Sequence, residues 1–455
     1  MSNILDLDDI QATALRPRPA PYRGQYVILR VSDAVDGREM IRRLIPHVAP
    51  ASHWWEPQLP GWLGIVITFA GLKALGLPQE SLDSFPAEFR DGMAARADVL
   101  RDTGGNAPEH WEQPFGSDAV HVALAIYARD DETLEHVLGL AHAARQALPG
   151  IEVVYRLNFA ELPEGRNPFG YRDGLHNPTI EGSHPSVMPG ERFAADRSAA
   201  SFRTAPIKAG EFILGYENEL GETATTPVPE ALRLNGTFVA FRKFHTDVAA
   251  FRRFLRENSA SPEEEELLAA KMVGRWRSGA PLVLTPEEDD PQLGADVVAN
   301  NRFGYGEDPN GLRCPMGAHI RRVNPRDALK DDIVNVNLHQ FIRRGTNFGV
   351  PLPEGVYDDD GQDRGGVFLF VGAHIDRQFE FVQSQWIANG DFVNLGDEQD
   401  PLVGNASEES TFTIPRKPIR KRLQGLPSFV TLRGGEYCFM PGISGLNWIA
   451  SLDAH

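Results

Sequence analysis

Residues 119–128 read AVHVALAIYA. Val120, Val122, Leu124 and Ile126 fall at every second position, which predicts a half-buried strand. Upstream, residues 62–69 (WLGIVITF) form a second expected strand, and residues 25–31 (QYVILRV) a third, rich in β-formers. Between those two, Met40, Ile41, Leu44, Ile45 and Val48 recur at helical spacing. A polar stretch near residues 80–117 follows. Downstream, Asp131 is placed to cap a helix whose apolar face is Leu134, Val137, Leu138, Ala141 and Leu148. Residues 151–157 (IEVVYRL) close the series. The order is β-α-β-β-α-β, the signature of a ferredoxin-like unit.

The later chain repeats that order less clearly. Residues 212–214 and 237–241 read as short strands, and 248–255 as an amphipathic helix. Ser261, with Pro262 after it and Glu264 three residues on, starts another helix through a capping box. Residues 367–371 are a strongly apolar strand, 377–386 a helix, and 429–432 and 437–440 the last strands. The expectation is an α+β chain of two ferredoxin-like domains, residues 1–160 and 211–455, the second with a large insertion near 280–350. A linker rich in Gly, Pro, Asn and Asp joins them at 161–210. The halves show no sequence identity, so the repeat is one of architecture.

The chain has 455 residues, 42% of them hydrophobic and 24% charged, enough apolar material for a sizeable core. Its 63 acids against 45 bases give a net charge of −18, which repels phosphate backbones and argues against a nucleic-acid partner. The basic run of Arg416, Lys417, Arg420, Lys421 and Arg422 reads as a solvated surface loop. Two cysteines, Cys314 and Cys438, make no disulfide framework and fit a reducing compartment. No signal-peptide pattern or twin arginine opens the sequence, so the cytoplasm is the expected location. No window of about 18 apolar residues suggests a membrane span.

Three stretches carry chemistry. The first is NPFGYRDGLHNPTIEG in the linker, where Gly170 and Gly174 flank Asp173. Glycines permit backbone angles that can aim an acid into a cavity, though an Asp-Gly pair in such a stretch is by itself a turn signal. The second is RCPMGAHIRRVNPR, in which His319 precedes Arg321, Arg322 and Arg326. Histidine can hold iron through a neutral imidazole nitrogen, and arginines favour anionic groups beside it. A lone histidine, taken by itself, is more often structural or exposed than a ligand. The third is LHQFIRRGTNFGVPLP, where Arg343 and Arg344 end an apolar run. Adjacent residues of a regular element cannot both face one pocket, and a surface pair is the plain alternative.

Together, FGYRDG, CPMGAHIRRVNPR and FIRRGTNFG, in that order, resemble the dye-decolourising peroxidases. The resemblance extends to DIQATALRP, VGRWRSGAPL, GVFLFVGAHIDRQFEFVQSQW and DPLVG, and so covers nearly the whole chain. It implies two ferredoxin-like domains of the dimeric α/β-barrel-like superfamily, with haem b bound in the C-terminal half. The absence of C-x-x-C-H argues that the haem and its iron are held non-covalently. By position, the resemblance makes His319 the iron ligand, Asp173 the distal acid and Arg343, not Arg344, the distal arginine. It places Phe368 in the distal wall and an acid behind His319, while the basic cluster with Arg321 and Arg322 suits the anionic haem propionates by its charge. That acid is Asp400, with Asp397 and Glu398 as rivals and a turn before Pro401 as the structural alternative. A leucine common in the family's distal wall is Gly366 here, which predicts a more open wall. His176, His339 and His374 fall outside the family pattern and read as structural. The implied activity is reduction of hydrogen peroxide and one-electron oxidation of small organic donors such as dyes and phenols. The alternatives are a haem-handling protein with incidental peroxidase activity and a small-molecule binder without haem. The oligomeric state, a homo-oligomer included, stays open.

Overall fold

The structure, a computed structural model, describes residues 5–52, 59–183, 206–329, 334–407 and 409–452. Residues 184–205 of the expected linker and 330–333 of the expected insertion lie outside the described residues. The first half contains β1 (Arg23–Val31), β2 (Gly61–Thr68), β3 (Val122–Ala128) and β4 (Ile151–Ala160). Helix α1 (Ala34–Leu44) lies between β1 and β2, and α2 (Asp131–Arg145) between β3 and β4. The strands pair antiparallel in the order β4-β1-β3-β2. The second half supplies β5 (Thr237–Thr246), β6 (Ile342–Phe348) and β7 (Gly365–Gly372). A separate hairpin, β8 (Thr411–Ile414) with β9 (Lys421–Gln424), precedes β10 (Val430–Met440). The second half pairs as β10-β5-β7-β6. Each half therefore sets its fourth, first, third and second strands side by side, the ferredoxin-like arrangement.

The two sets form one eight-stranded sheet through β2 and β10, where Ile67 lies opposite Phe439 and Thr68 opposite Cys438. The sheet curls until its end strands, β4 and β6, lie against each other. The main core fills the space between the halves. Tyr26 of β1 meets Phe159 of β4 at 4.7 Å between ring centres and Phe241 of β5 at 5.6 Å.

This packing revises several expectations. All seven residues of β3 are buried. Its alternation of large and small side chains separates two dry neighbours, the helices and the second half, and not a dry face from a wet one. The cap of α2 is Asp130, whose carboxylate accepts from the Thr133 backbone N–H at 2.8 Å; Asp131 is the first helical residue. Residues 212–214 form no strand and follow a short 3-10 turn, Ala209–Glu211. The two expected last strands are one, β10, with a bulge between Leu432 and Gly434. The helix expected at 377–386 is wound wider than an α-helix, in π-turns over Ile375–Glu380 and Val382–Ile387. Lys421 and Arg422 of the basic run belong to β9. Among the described residues no helix is long and apolar enough to cross a membrane.

Helices α3 (Val248–Glu257) and α4 (Pro262–Val273) pack beyond β5. Ser261 caps α4 by accepting from the Glu264 N–H, and the Glu264 carboxylate accepts from the Ala260 N–H. A five-residue helix, α5 (His319–Val323), begins on His319.

Candidate active site

Alternation along the second half's strands builds a cavity on the face turned away from the main core. On β7, Val367, Leu369 and Val371 are fully buried, while Gly366, Phe368 and Phe370 line the cavity. On β5, Arg242, Phe244 and Thr246 line it. On β6, Arg343 and Asn347 face it, and Arg344 points the other way, donating to the carbonyls of Ala14 at 3.0 Å and Thr13 at 3.4 Å. The cavity has a volume of about 250 Å³ and is mostly apolar. A second, more polar cavity of about 200 Å³ shares Arg343, Phe368, Val323 and Asn324 with the first.

His319 stands at the first position of α5 and lines the larger cavity. Its Nδ1 lies 2.8 Å from Oδ2 of Asp400. The other Asp400 oxygen accepts from the backbone N–H groups of Leu402 at 2.9 Å and Val403 at 3.1 Å. The turn before Pro401 and the partner of His319 are thus the same carboxylate. Burial works against the Asp400 charge; His319, its hydrogen bond and Arg322 outweigh it and hold the carboxyl below its ordinary range. Of the rival acids, Glu398 accepts from Thr413 instead, and the carboxylate paired with His319 is that of Asp400. With Nδ1 so engaged, Nε2 is the nitrogen His319 offers to the cavity.

Arg321 and Arg322 are buried but line neither cavity. Arg321 donates to Asp308 Oδ2 at 3.0 Å and to the carbonyls of Cys314 and Asp308. Arg322 donates to the carbonyls of Trp386, Glu398 and Asn389. Arg321 and Arg322 thus donate to protein groups, and neither is turned to either cavity. The cations that do line the smaller cavity are Arg18, Arg275, Arg326 and Arg343. Burial pushes Arg275 down to about 9, with Arg326 adding to the effect, and it lowers Arg326 and Arg343 as well. Arg326 appeared in the motif beside His319; Arg275 lies in VGRWRSGAPL, where nothing local marks it.

Asp173 lines the smaller cavity and not the larger. Gly170 and Gly174 on either side have φ of +85° and +74°, angles that a side chain would strain. One Asp173 oxygen accepts from Arg18 at 2.7 Å and the other from the Gly174 N–H at 2.7 Å. Arg343 donates from its side chain to the His176 carbonyl at 2.8 Å, and its backbone N–H donates to Asn177. Phe368 leans over two glycines. A Cβ on Gly345 would come within 2.9 Å of its ring, and one on Gly366 within 3.2 Å. The space left by Gly366 is thus partly taken by Phe368, which tempers the expected openness of that wall.

The residues present fit a haem. An apolar cavity receives one free imidazole nitrogen, and the adjoining cavity has a cationic wall suited to carboxylates. There the Tyr305 hydroxyl is buried without a hydrogen-bond partner. Among the described residues no group of three or more His, Cys, Asp and Glu side chains could hold a metal ion.

No family model matches the chain. A dye-decolorizing peroxidase of Mycena epipterygia is 31% identical, the match covering 99% of this chain and 88% of that protein. Dye-decolorizing peroxidase msp1 of Mycetinis scorodonius is 30% identical, covering 86% of this chain and 76% of that one. Among solved structures, a dye-decolorizing peroxidase in complex with 2,6-dimethoxyphenol superposes with a TM-score of 0.84 at 28% identity, over 98% of this chain and 100% of the other. A fungal DyP-type peroxidase from Auricularia auricula-judae gives 0.83 at 26% identity, over 98% and 99%.

Proposed function

This chain belongs to the dye-decolourising peroxidases, and we propose that His319, Asp400, Asp173 and Arg343 carry its chemistry. It is a peroxidase that reduces hydrogen peroxide and oxidises organic donors such as dyes and phenols by one-electron steps. Members of the family are haem enzymes; for this chain the cofactor is haem b, bound without a covalent link. Its partners are hydrogen peroxide and small organic donors, and its net charge of −18 disfavours nucleic acid.

The observation that supports this best is the His319–Asp400 pair at the edge of an apolar cavity that Arg343 also lines. His319 would hold the iron through Nε2. Asp400, accepting the Nδ1 proton, fixes the ring and makes the imidazole a stronger donor. Arg275, Arg326 and the Tyr305 hydroxyl would receive the propionates. Haem bound there supplies the redox chemistry, accepting two oxidising equivalents from one peroxide and passing them on singly. Asp173 carries a proton from one peroxide oxygen to the other, so that the second leaves as water. Arg343 offers fixed positive charge to the separating oxygens.

The test is an absorption spectrum of the purified protein beside that of His319→Ala. The wild type is expected to show a Soret band and the variant to lose most of its haem. An unchanged haem content and spectrum in the variant would remove His319 from the iron.

A further inference from the structure

We propose that Arg18 is the positioning residue for Asp173, holding its carboxylate oriented at the partition between the inner cavity and a polar pocket outside it. The inference rests on Asp173 being the proton carrier. Arg18 comes from a segment remote in sequence, between Pro17 and Pro19, whose rings restrict the local backbone. Its guanidinium is held from two sides. One nitrogen donates to Asp173 Oδ2 at 2.7 Å, and the plane lies over the Tyr22 ring, 4.2 Å from its centre. Arg18 and Asp173 both line the inner cavity with Arg343, and both line an outer pocket of about 490 Å³. The pair therefore stands between the two.

A pair this exposed, at 21% and 27%, contributes little to stability. Its consequence lies in where it keeps the acid. Arg343 is directed to the His176 carbonyl, so Arg18 is the cation that forms the ion pair with Asp173. The other groups facing Asp173 are Arg343, Arg275, Arg326, His176 and Tyr305 around the inner cavity, and Arg23, Arg172, Glu161, Glu164 and Tyr22 around the outer pocket. Removing Arg18 takes away the nearest cation and leaves both glutamates. The carboxylate then loses the side-chain partner that fixes the orientation of its Oδ2.

The experiment follows the rate of the holoenzyme's reaction with hydrogen peroxide across pH by stopped flow. It compares wild type with Arg18→Met, Arg18→Gln, Arg18→Lys, Asp173→Asn and the double variant Arg18→Met/Asp173→Asn. Losing Arg18 is expected to move the acid limb of the profile to higher pH, because a cation beside the carboxylate is gone, with Lys restoring most of the wild-type profile. In the Asp173→Asn background the Arg18 substitution is expected to change nothing. A readout independent of turnover is the infrared band of the protonated carboxyl, assigned by its loss in Asp173→Asn, which should titrate with the same displacement. If Asp173→Asn lacks the limb while Arg18→Met and Arg18→Gln keep it at the wild-type pH, Arg18 has no such role and Asp173 retains its own. The Arg18 role also falls if its substitution shifts the profile equally without Asp173. Should Asp173→Asn keep the acid limb, the reading of Asp173 fails first and this inference with it.

Discussion

Asp400 shows at single-residue scale how a turn signal and a functional group can coincide. Its carboxylate pins the backbone of Leu402 and Val403 with one oxygen and His319 with the other. Asp400→Asn keeps the shape and removes the charge. The imidazole becomes a weaker donor, so the ferric/ferrous potential should rise in spectroelectrochemistry, and haem affinity should fall by about 10–100-fold. Arg343 and Arg344 are neighbours with opposite consequences. Arg343→Leu should slow the peroxide step by about 10²–10³-fold in stopped flow, with haem content retained. Arg344→Leu leaves the carbonyls of Thr13 and Ala14 without their donor, and should instead cost about 1–3 kcal/mol in denaturant titration. That at most one of the two faces a given pocket was legible in the sequence, because a strand turns successive residues to opposite faces; which one was implied only by the family resemblance. The choice among Asp397, Glu398 and Asp400 was not, since the acid reaches His319 across 81 positions of chain. Nor was the commitment of Arg321 and Arg322, whose partners are Asp308 and distant carbonyls. A basic cluster shows charge in one dimension but not where each guanidinium ends.

Among the elements, strands were read better than their burial. Residues 119–128 identify β3 correctly, yet their alternation cannot say that both faces are covered, because that depends on segments distant in the chain. Helix α2 shows the resolution of capping signals. Asp130 and Asp131 are both acids at the boundary, and only the side chain on the last non-helical residue can reach the Thr133 N–H. Asp130→Ala should cost about 1 kcal/mol in chemical denaturation. Asp131→Ala, which breaks only an exposed pair with Arg23, should stay within about 0.5 kcal/mol. The strand β10 joins the two expected at 429–432 and 437–440, and the sheet absorbs the residues between them through a bulge at Leu432 and Gly434.

For the molecule as a whole, acid sensitivity follows from a histidine outside the site. Burial, with Arg377 nearby, pushes His374 down to about 4 from an ordinary 6.5. The folded protein keeps it neutral where the unfolded chain would protonate it. Its contribution to stability is therefore fully present above about pH 6.5 and is lost as pH falls toward about 4. His374→Gln should flatten the dependence of melting temperature on pH across that window; an unchanged slope would place the acid sensitivity elsewhere. The sheet's order has a consequence for biosynthesis. Strands β1 to β4 have all been made once the ribosome passes Ala160, so the first half can pair while the rest of the chain is still being translated. In the second half, β5 lies between β7 and β10, and β10 begins only at Val430. One flank of β5, the seam with β2, and the part of the cavity wall that contains Val430 must therefore wait for the final strand. A nascent chain stalled before β10 presents a pocket that still lacks part of its wall.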